Sequence, residues 1–154
     1  LELRDFEGAD LALAEHEQAA GAGRAWIEEY KAILAALRGD RDAAAAALGR
    51  SIDLEPTWSR HYNLAVLDGA AGRAQAAVDQ LRMAEECLLN APAAGAGESA
   101  GGGAAAHSRI RGLMGEQLLA LGDRHGARRE CEYAVDLDPA NHRARLILRI
   151  LEGP

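Results

Sequence analysis

The sequence predicts an all-α protein built as a stacked array of antiparallel helix pairs. Three observations carry this. First, one phrase is written twice: residues 38–56 read RGDRDAAAAALGRSIDLEP and residues 121–139 read LGDRHGARRECEYAVDLDP. Gly39, Asp40, Arg41, Ala44, Asp53, Leu54, Glu55 and Pro56 answer to Gly122, Asp123, Arg124, Ala127, Asp136, Leu137, Asp138 and Pro139. A repeat of this length marks units that bury their apolar faces against neighbours in a row. Second, apolar residues recur at spacings of three and four nearly throughout, and no alternating strand pattern is present. Third, alanine is abundant and aromatics make up only 4% of the chain. Small side chains favour helix and let helices approach closely.

Taken in order, residues 5–20 (DFEGADLALAEHEQAA) read as a lone second helix, with Phe6, Ala9 and Leu13 in register and His16 where a small residue is expected. Residues 25–56 form a first full repeat: the helix WIEEYKAILAAL, a turn at Gly39, and a second helix capped by Asp40 and ended before Pro56. Residues 58–91 form a second, turning at Gly72, which lies 33 residues after Gly39. Its Ala77, Leu81 and Ala84 keep the small–large–small spacing of Ala44, Leu48 and Ser51 and of Ala127, Cys131 and Ala134. Leu89 stands where a proline is expected, so this helix should run to about Ala91. From Gly72 to Gly122 is 50 residues, 16 more than one period. The excess is PAAGAGESAGGGAAAH, residues 92–107, which lacks the large apolar residues that offset ordering entropy and reads as an inserted flexible loop, with Ala104–Ala106 able to join the next helix. Residues 108–139 complete a third repeat, and 141–152 a capping helix with Asn141 as N-cap. The chain starts at Leu1 and with half a repeat, so it is expected to be one domain cut from a longer superhelix, and its compartment is open.

On these residues the chain resembles the tetratricopeptide repeat, a helix–turn–helix unit of about 34 residues. That family keeps small residues at its eighth position (here Ala32, Ala65 and Gly115), its twentieth (Ala44, Ala77, Ala127) and its twenty-seventh (Ser51, Ala84, Ala134). Leu64 and Met114 match its large seventh residue, whereas Lys31 departs from it. The resemblance implies a right-handed superhelix whose first helices line a concave face. It implies groove residues Trp26, Glu29 and Ile33; Ser59, Tyr62, Asn63 and Val66; Arg109, Gly112 and Glu116; with Arg143 and Leu146 extending the face. It also permits a test of the carboxylate clamp by which some members hold heat-shock chaperone tails. Here Glu29, Ile33, Asn63, Arg109 and Leu113 occupy the clamp positions, only Asn63 matches, and Glu29 repels a carboxylate.

No catalytic constellation is present. HExxH, CxxC and GxxxxGK[ST] are all missing, and the glycines at 101–103 lack the strand and Lys of a phosphate cradle. Glu15, His16 and Glu17 are adjacent helix positions and point apart, so they do not close on one metal ion. The carboxylate pairs Glu28–Glu29 and Glu85–Glu86 read as solvated faces, and Cys87 and Cys131 as buried free thiols. No apolar run spans a membrane, and a net charge of −7 disfavours nucleic acid. The high Arg, Ala and Gly content suggests a GC-rich bacterial genome. The expectation is therefore a non-catalytic scaffold without cofactor or metal, binding a peptide or helix of a protein partner in the groove. The alternative is an accessory domain of a larger enzyme or of an assembly or secretion complex. Acidic residues crowd the first helix and Arg143, Arg145 and Arg149 the last, which makes head-to-tail self-association a further option.

Overall fold

The computed structural model describes residues 6–20, 24–90 and 100–153. Among these residues the chain forms eight α-helices and no strand: α1 Phe6–Ala20, α2 Ala25–Leu37, α3 Arg41–Leu54, α4 Trp58–Ala70, α5 Ala74–Asn90, α6 Ala100–Ala120, α7 Arg124–Leu137 and α8 His142–Glu152. They divide into two compact units, Leu1–Pro56 and Thr57–Pro154. The first holds α1 to α3, with α2 packed on α3 and more loosely on α1; the second holds α4 to α8. One expectation changes. Residues 100–107 open α6 and are helical, so the second half of the expected 92–107 loop belongs to a helix. The alanines and glycines there are carried by the strong helix Ser108–Ala120 behind them, because extending a formed helix is far easier than starting one. Residues 92–99 of that expected loop lie outside the described residues.

Three turns share one geometry. Gly39, Gly72 and Gly122 take φ of +83°, +76° and +85°, a conformation that glycine reaches without Cβ strain. Around each, the N–H of the glycine donates to the carbonyl three residues back and the next N–H to the carbonyl five back. For the last turn these are Gly122 N to Leu119 O at 3.0 Å and Asp123 N to Leu118 O at 2.9 Å. This closes the first helix and satisfies its terminal carbonyls. Asp40 and Asp123 then cap the next helix, their carboxylates accepting from Ala43 N at 3.0 Å and Gly126 N at 2.8 Å. In the middle turn Arg73 replaces the aspartate and pairs with Asp68 of α4.

Between the helices of a pair, small residues set the separation. Ala32, Ala44, Ala65, Ala77, Ala84, Ala127 and Ala134 are all buried. Gly115 marks the tightest approach: a Cβ there would overlap Cys131 Sγ and lie 3.1 Å from Ala127 O. Two pairs are also joined by the same bond with its donor exchanged. Ser51 Oγ, on the second helix, donates to Ala25 O at 2.7 Å. Ser108 Oγ, on the first helix, donates to Ala134 O at 2.7 Å. In both, the bonded residues stand 26 apart, at the first and twenty-seventh positions of the repeat. Such a bond forms only when the two backbones approach closely.

The second unit has two apolar clusters. Ala65, Ala77, Leu81, Ala84, Ile110, Leu113 and Met114 form one, between α4, α5 and α6. Ala127, Cys131, Ala134, Ala144, Ile147 and Leu151 form the other, between α7 and α8. Leu118 packs against both and joins them. Asn141 secures α8: it accepts from Ala144 N at 3.1 Å as N-cap, while its Nδ2 donates to Ser108 O and Oγ, each at 2.9 Å.

Ala127→Leu should overpack the α6–α7 contact and cost about 1–3 kcal/mol, read as a lower midpoint in chemical denaturation. An unchanged midpoint would contradict this register. Ser108→Ala removes the Ala134 bond and one acceptor of Asn141. It should cost about 1–2 kcal/mol by the same measurement, whereas Ser59→Ala on α4, outside this bond, should cost less.

Candidate binding surfaces

In each repeat the fourth position, counted from Ala25, Trp58 and Ser108, carries a polar group toward the neighbouring helix. Glu28 is 7% exposed; its Oε1 lies 2.9 Å from Lys31 Nζ and its Oε2 2.7 Å from Arg50 Nε. Lys31 in turn reaches Glu17 on α1 at 3.0 Å. Burial pushes the Glu28 carboxyl up, but its hydrogen bonds to Lys31 and Arg50 outweigh this and hold it below the usual range. Lys31 is pushed up, first by its hydrogen bond to Glu28 and then by that to Glu17. In the next repeat His61 is buried, with Nδ1 2.8 Å from Gln80 Oε1, and its Nε2 has no hydrogen-bond partner among the described residues. In the third, Arg111 bonds Glu130 at 2.6 Å, pairs with Glu85 and lies 5.2 Å above the Tyr133 ring. His107 joins the same group through Glu85 and meets Tyr133 edge-on at 5.6 Å.

These contacts correct the expectation that Glu28 and Glu85 lie on solvated faces. Glu28 is buried, and the Glu85 side chain is only 16% exposed. The cations that draw them inward come from other helices or other turns, which adjacency in sequence does not reveal. Burial pushes the Arg111 guanidinium down, but Glu130 and Glu85 more than restore it. The network ties α5, α6 and α7 together rather than facing a ligand.

The groove residues implied by the resemblance take different environments. In the first unit Trp26 and Ile33 are 38% and 49% exposed on α2, and Glu29 is half-buried. In the second unit Asn63 and Val66 are exposed on α4, Arg109 and Glu116 on α6, and Arg143 and Leu146 on α8. Arg143 Nε pairs with Glu116 at 3.2 Å, which fixes one edge of that surface. Tyr62 is half-buried against the first apolar cluster and meets Trp58 edge-on. Ser59 is half-buried and shares a 3.2 Å hydrogen bond with Thr57. Gly112 is buried, and a Cβ there would meet Asn141 Nδ2 at 2.9 Å, so the cap of α8 covers that position.

A surface not singled out by residue pattern lies in the first unit. Ala9, Ala12, Leu13 and His16 of α1 and Trp26, Tyr30, Ile33 and Leu34 of α2 line an open pocket of about 340 Å³. His16 stands where the later second helices carry Ser51, Ala84 and Ala134, and its ring meets Trp26 edge-on at 5.9 Å. The rings of His16, Trp26 and Tyr30 edge this pocket. Arg38 spans one end of α1 and α2, bonding Asp10 at 2.7 Å and Phe6 O at 3.2 Å.

The arrangement of the helices matches that of solved helical-repeat structures. The fold is that of the tetratricopeptide repeat. The chain superposes on MamA with a TM-score of 0.75 at 18% identity, covering 96% of this chain and 77% of that one. It matches the first tetratricopeptide domain of Spaghetti (RPAP3), solved bound to the HSP90 peptide SRMEEVD, with a TM-score of 0.67 at 18% identity, covering 84% and 93% of the two chains. The first tetratricopeptide domain of human RPAP3 gives 0.67 at 19% identity, covering 86% and 92%. No protein-family model and no curated protein matches the sequence. At these identities the likeness is one of fold.

No cluster of three or more His, Cys, Asp or Glu among the described residues has the geometry to hold a metal ion, and no described helix is long and apolar enough to cross a membrane. Both cysteines are free; Cys131 is fully buried and Cys87 partly so. Burial pushes the Cys131 thiol up to about 11, and burial with the Glu86 charge raises Cys87. A thiol reagent at neutral pH should therefore label Cys87 well before Cys131, and mass spectrometry of a labelling time course checks the order.

Because the Glu28 pKa is depressed on folding, its contribution to stability is present above the ordinary carboxylate range and lost as pH falls through the folded value. Glu28→Gln should thus lower the melting temperature at neutral pH and flatten its fall on acidification. A parallel acid fall in both proteins would remove this residue from the account.

Proposed function

We propose that this chain is a non-catalytic protein-interaction scaffold that takes a peptide or helix of a partner against its first helices. The carrying observation is the exposure of four of the expected groove residues in the second unit. Asn63, Val66, Arg109 and Glu116 stand on helices whose other sides are committed to the core. An amide, an aliphatic side chain and a guanidinium exposed on α4 and α6 supply backbone hydrogen bonding, apolar contact and a forked carboxylate contact, the usual ingredients of peptide recognition. The peptide-bound RPAP3 domain of the same fold supports the reading.

An acidic C-terminal tail such as that peptide is not the ligand we favour. Of the clamp positions implied by the resemblance, Leu113 is buried at 3% exposure and Glu29 carries the repelling charge. Asn63 and Arg109 remain available for an internal segment. Tyr62 and Ser59 are half-buried on the same helix, Arg143 pairs with Glu116, and Trp26, Glu29 and Ile33 hold the corresponding positions of the first unit.

Panning a peptide library against the chain, followed by titration of the selected peptide, tests the proposal. Val66→Asp and Arg109→Ala should each weaken binding about tenfold or more, while Met83→Ser, exposed on α5, should leave it unchanged. Equal affinity in all three would show that the ligand lies elsewhere.

A further inference from the structure

We infer that the first two turns of α6 form a releasable strap. Residues 100–107 exchange between helix and extended chain, and the contact of His107 with Glu85 is the clasp that stops this release at the edge of the repeat.

α6 is longer than its counterparts. α2 and α4 have 13 residues each, whereas α6 has 21. The third repeat begins at Ser108, so the eight extra residues, AGGGAAAH, all precede it. Gly101, Gly102 and Gly103 stand in this extension. Each glycine inside a helix lowers the helix population about fivefold relative to alanine, so three in succession lower it about a hundredfold. Elsewhere in the chain glycine has a geometric reason. Gly39, Gly72 and Gly122 supply the positive φ of the turns, and Gly115 gives Cys131 room. Gly103 has neither reason: it is helical without a left-handed φ, and a Cβ built there meets nothing within 4 Å.

The holding contacts gather at the far end of the extension. Ala106 is buried, and His107 meets Glu85 of α5 through Nε2 and Tyr133 of α7 edge-on at 5.6 Å. Arg111, one turn further on, pairs with Glu85 and with Glu130 of α7. Glu85 thus grips α6 at two successive turns. Before His107 the helix depends on its own backbone bonds. In an α-helix the N–H groups of residues 104–107 donate to the carbonyls of residues 100–103, so these bonds close over the glycines. Unwinding from Ala100 therefore meets little resistance until it reaches His107, where it must break a contact with a carboxylate on another helix. Behind that point Ser108 is bonded to Ala134, and Ile110, Leu113 and Met114 sit in the core.

Release changes the connection between the second and third repeats. α5 ends at Asn90, so the connection grows from residues 91–99 to residues 91–107. Eight residues span about 12 Å as helix and about 26 Å when extended. The strap thus gives the connection two lengths while both repeats stay packed.

Hydrogen–deuterium exchange of the whole chain, resolved by residue and corrected for intrinsic rates, tests this. In the unmodified chain the amides of residues 104–107 should exchange about a hundredfold faster than those of residues 112–120. Replacing the three glycines together, Gly101→Ala, Gly102→Ala and Gly103→Ala, should slow exchange at 104–107 about a hundredfold and leave 112–120 unchanged. His107→Ala should speed exchange at residues 104–106 about tenfold, even though alanine is the better helix former, and again leave 112–120 unchanged. Equal protection along the whole of α6 in the unmodified chain overturns the proposal, as does a triple variant whose exchange at 104–107 is unaltered. Exchange in His107→Ala that stays the same, or that rises through residues 112–120 as well, overturns the clasp.

Discussion

Close approach of paired helices is the constraint on which the rest of this structure depends. A chain with few aromatics cannot fill wide gaps between helices, so it must bring the backbones together. Alanine or glycine at the contact positions permits this, and dispersion across many short contacts replaces the burial of a few large side chains. The serine–carbonyl bonds Ser51–Ala25 and Ser108–Ala134 are consequences of the same approach, since a hydroxyl on one short stem reaches a main-chain carbonyl of the facing helix. At Gly115 the approach is so close that even a methyl group has no room. The glycine turns then reverse the chain within the short distance that such close helices leave.

Close packing also explains the polar interior at the fourth position. Where helices meet over alanine, a long side chain next to the seam crosses to a neighbouring helix or turn instead of extending to solvent. Glu28, His61 and Arg111 all do so, and each finds a different partner. A partly buried charge is tolerated when its partners satisfy it, and removing one partner leaves the other exposed to the full desolvation cost. Such networks belong to the structural frame. They leave the outward rows of α4, α6 and α8 to present side chains that the core does not use.

α1 and α2 pack more loosely than the paired helices. At His16 the imidazole stands where the later helices carry serine or alanine, and α1 and α2 enclose a pocket rimmed by Trp26 and Tyr30.

The sequence by itself determined the helices, their turns and their caps, because these are local. Glycine at +φ, aspartate one residue later and proline past the second helix act within a few residues of themselves, and their spacing is visible in the text of the chain. It also placed Asn141 as a cap, though not its hold on Ser108. Only the tertiary structure decided which polar groups are buried. Glu28 and Glu85 look like surface carboxylates until Arg50, His107 and Arg111 arrive from elsewhere in the fold, between 22 and 26 residues away. It likewise decided that Gly112 is covered by Asn141, that Tyr62 leans on the core, and that residues 100–107 join α6. Periodicity reports which face of a helix is apolar. It does not report which neighbour that face meets or how near it comes, and distance is what separates a buried ion pair, a pocket and an open surface.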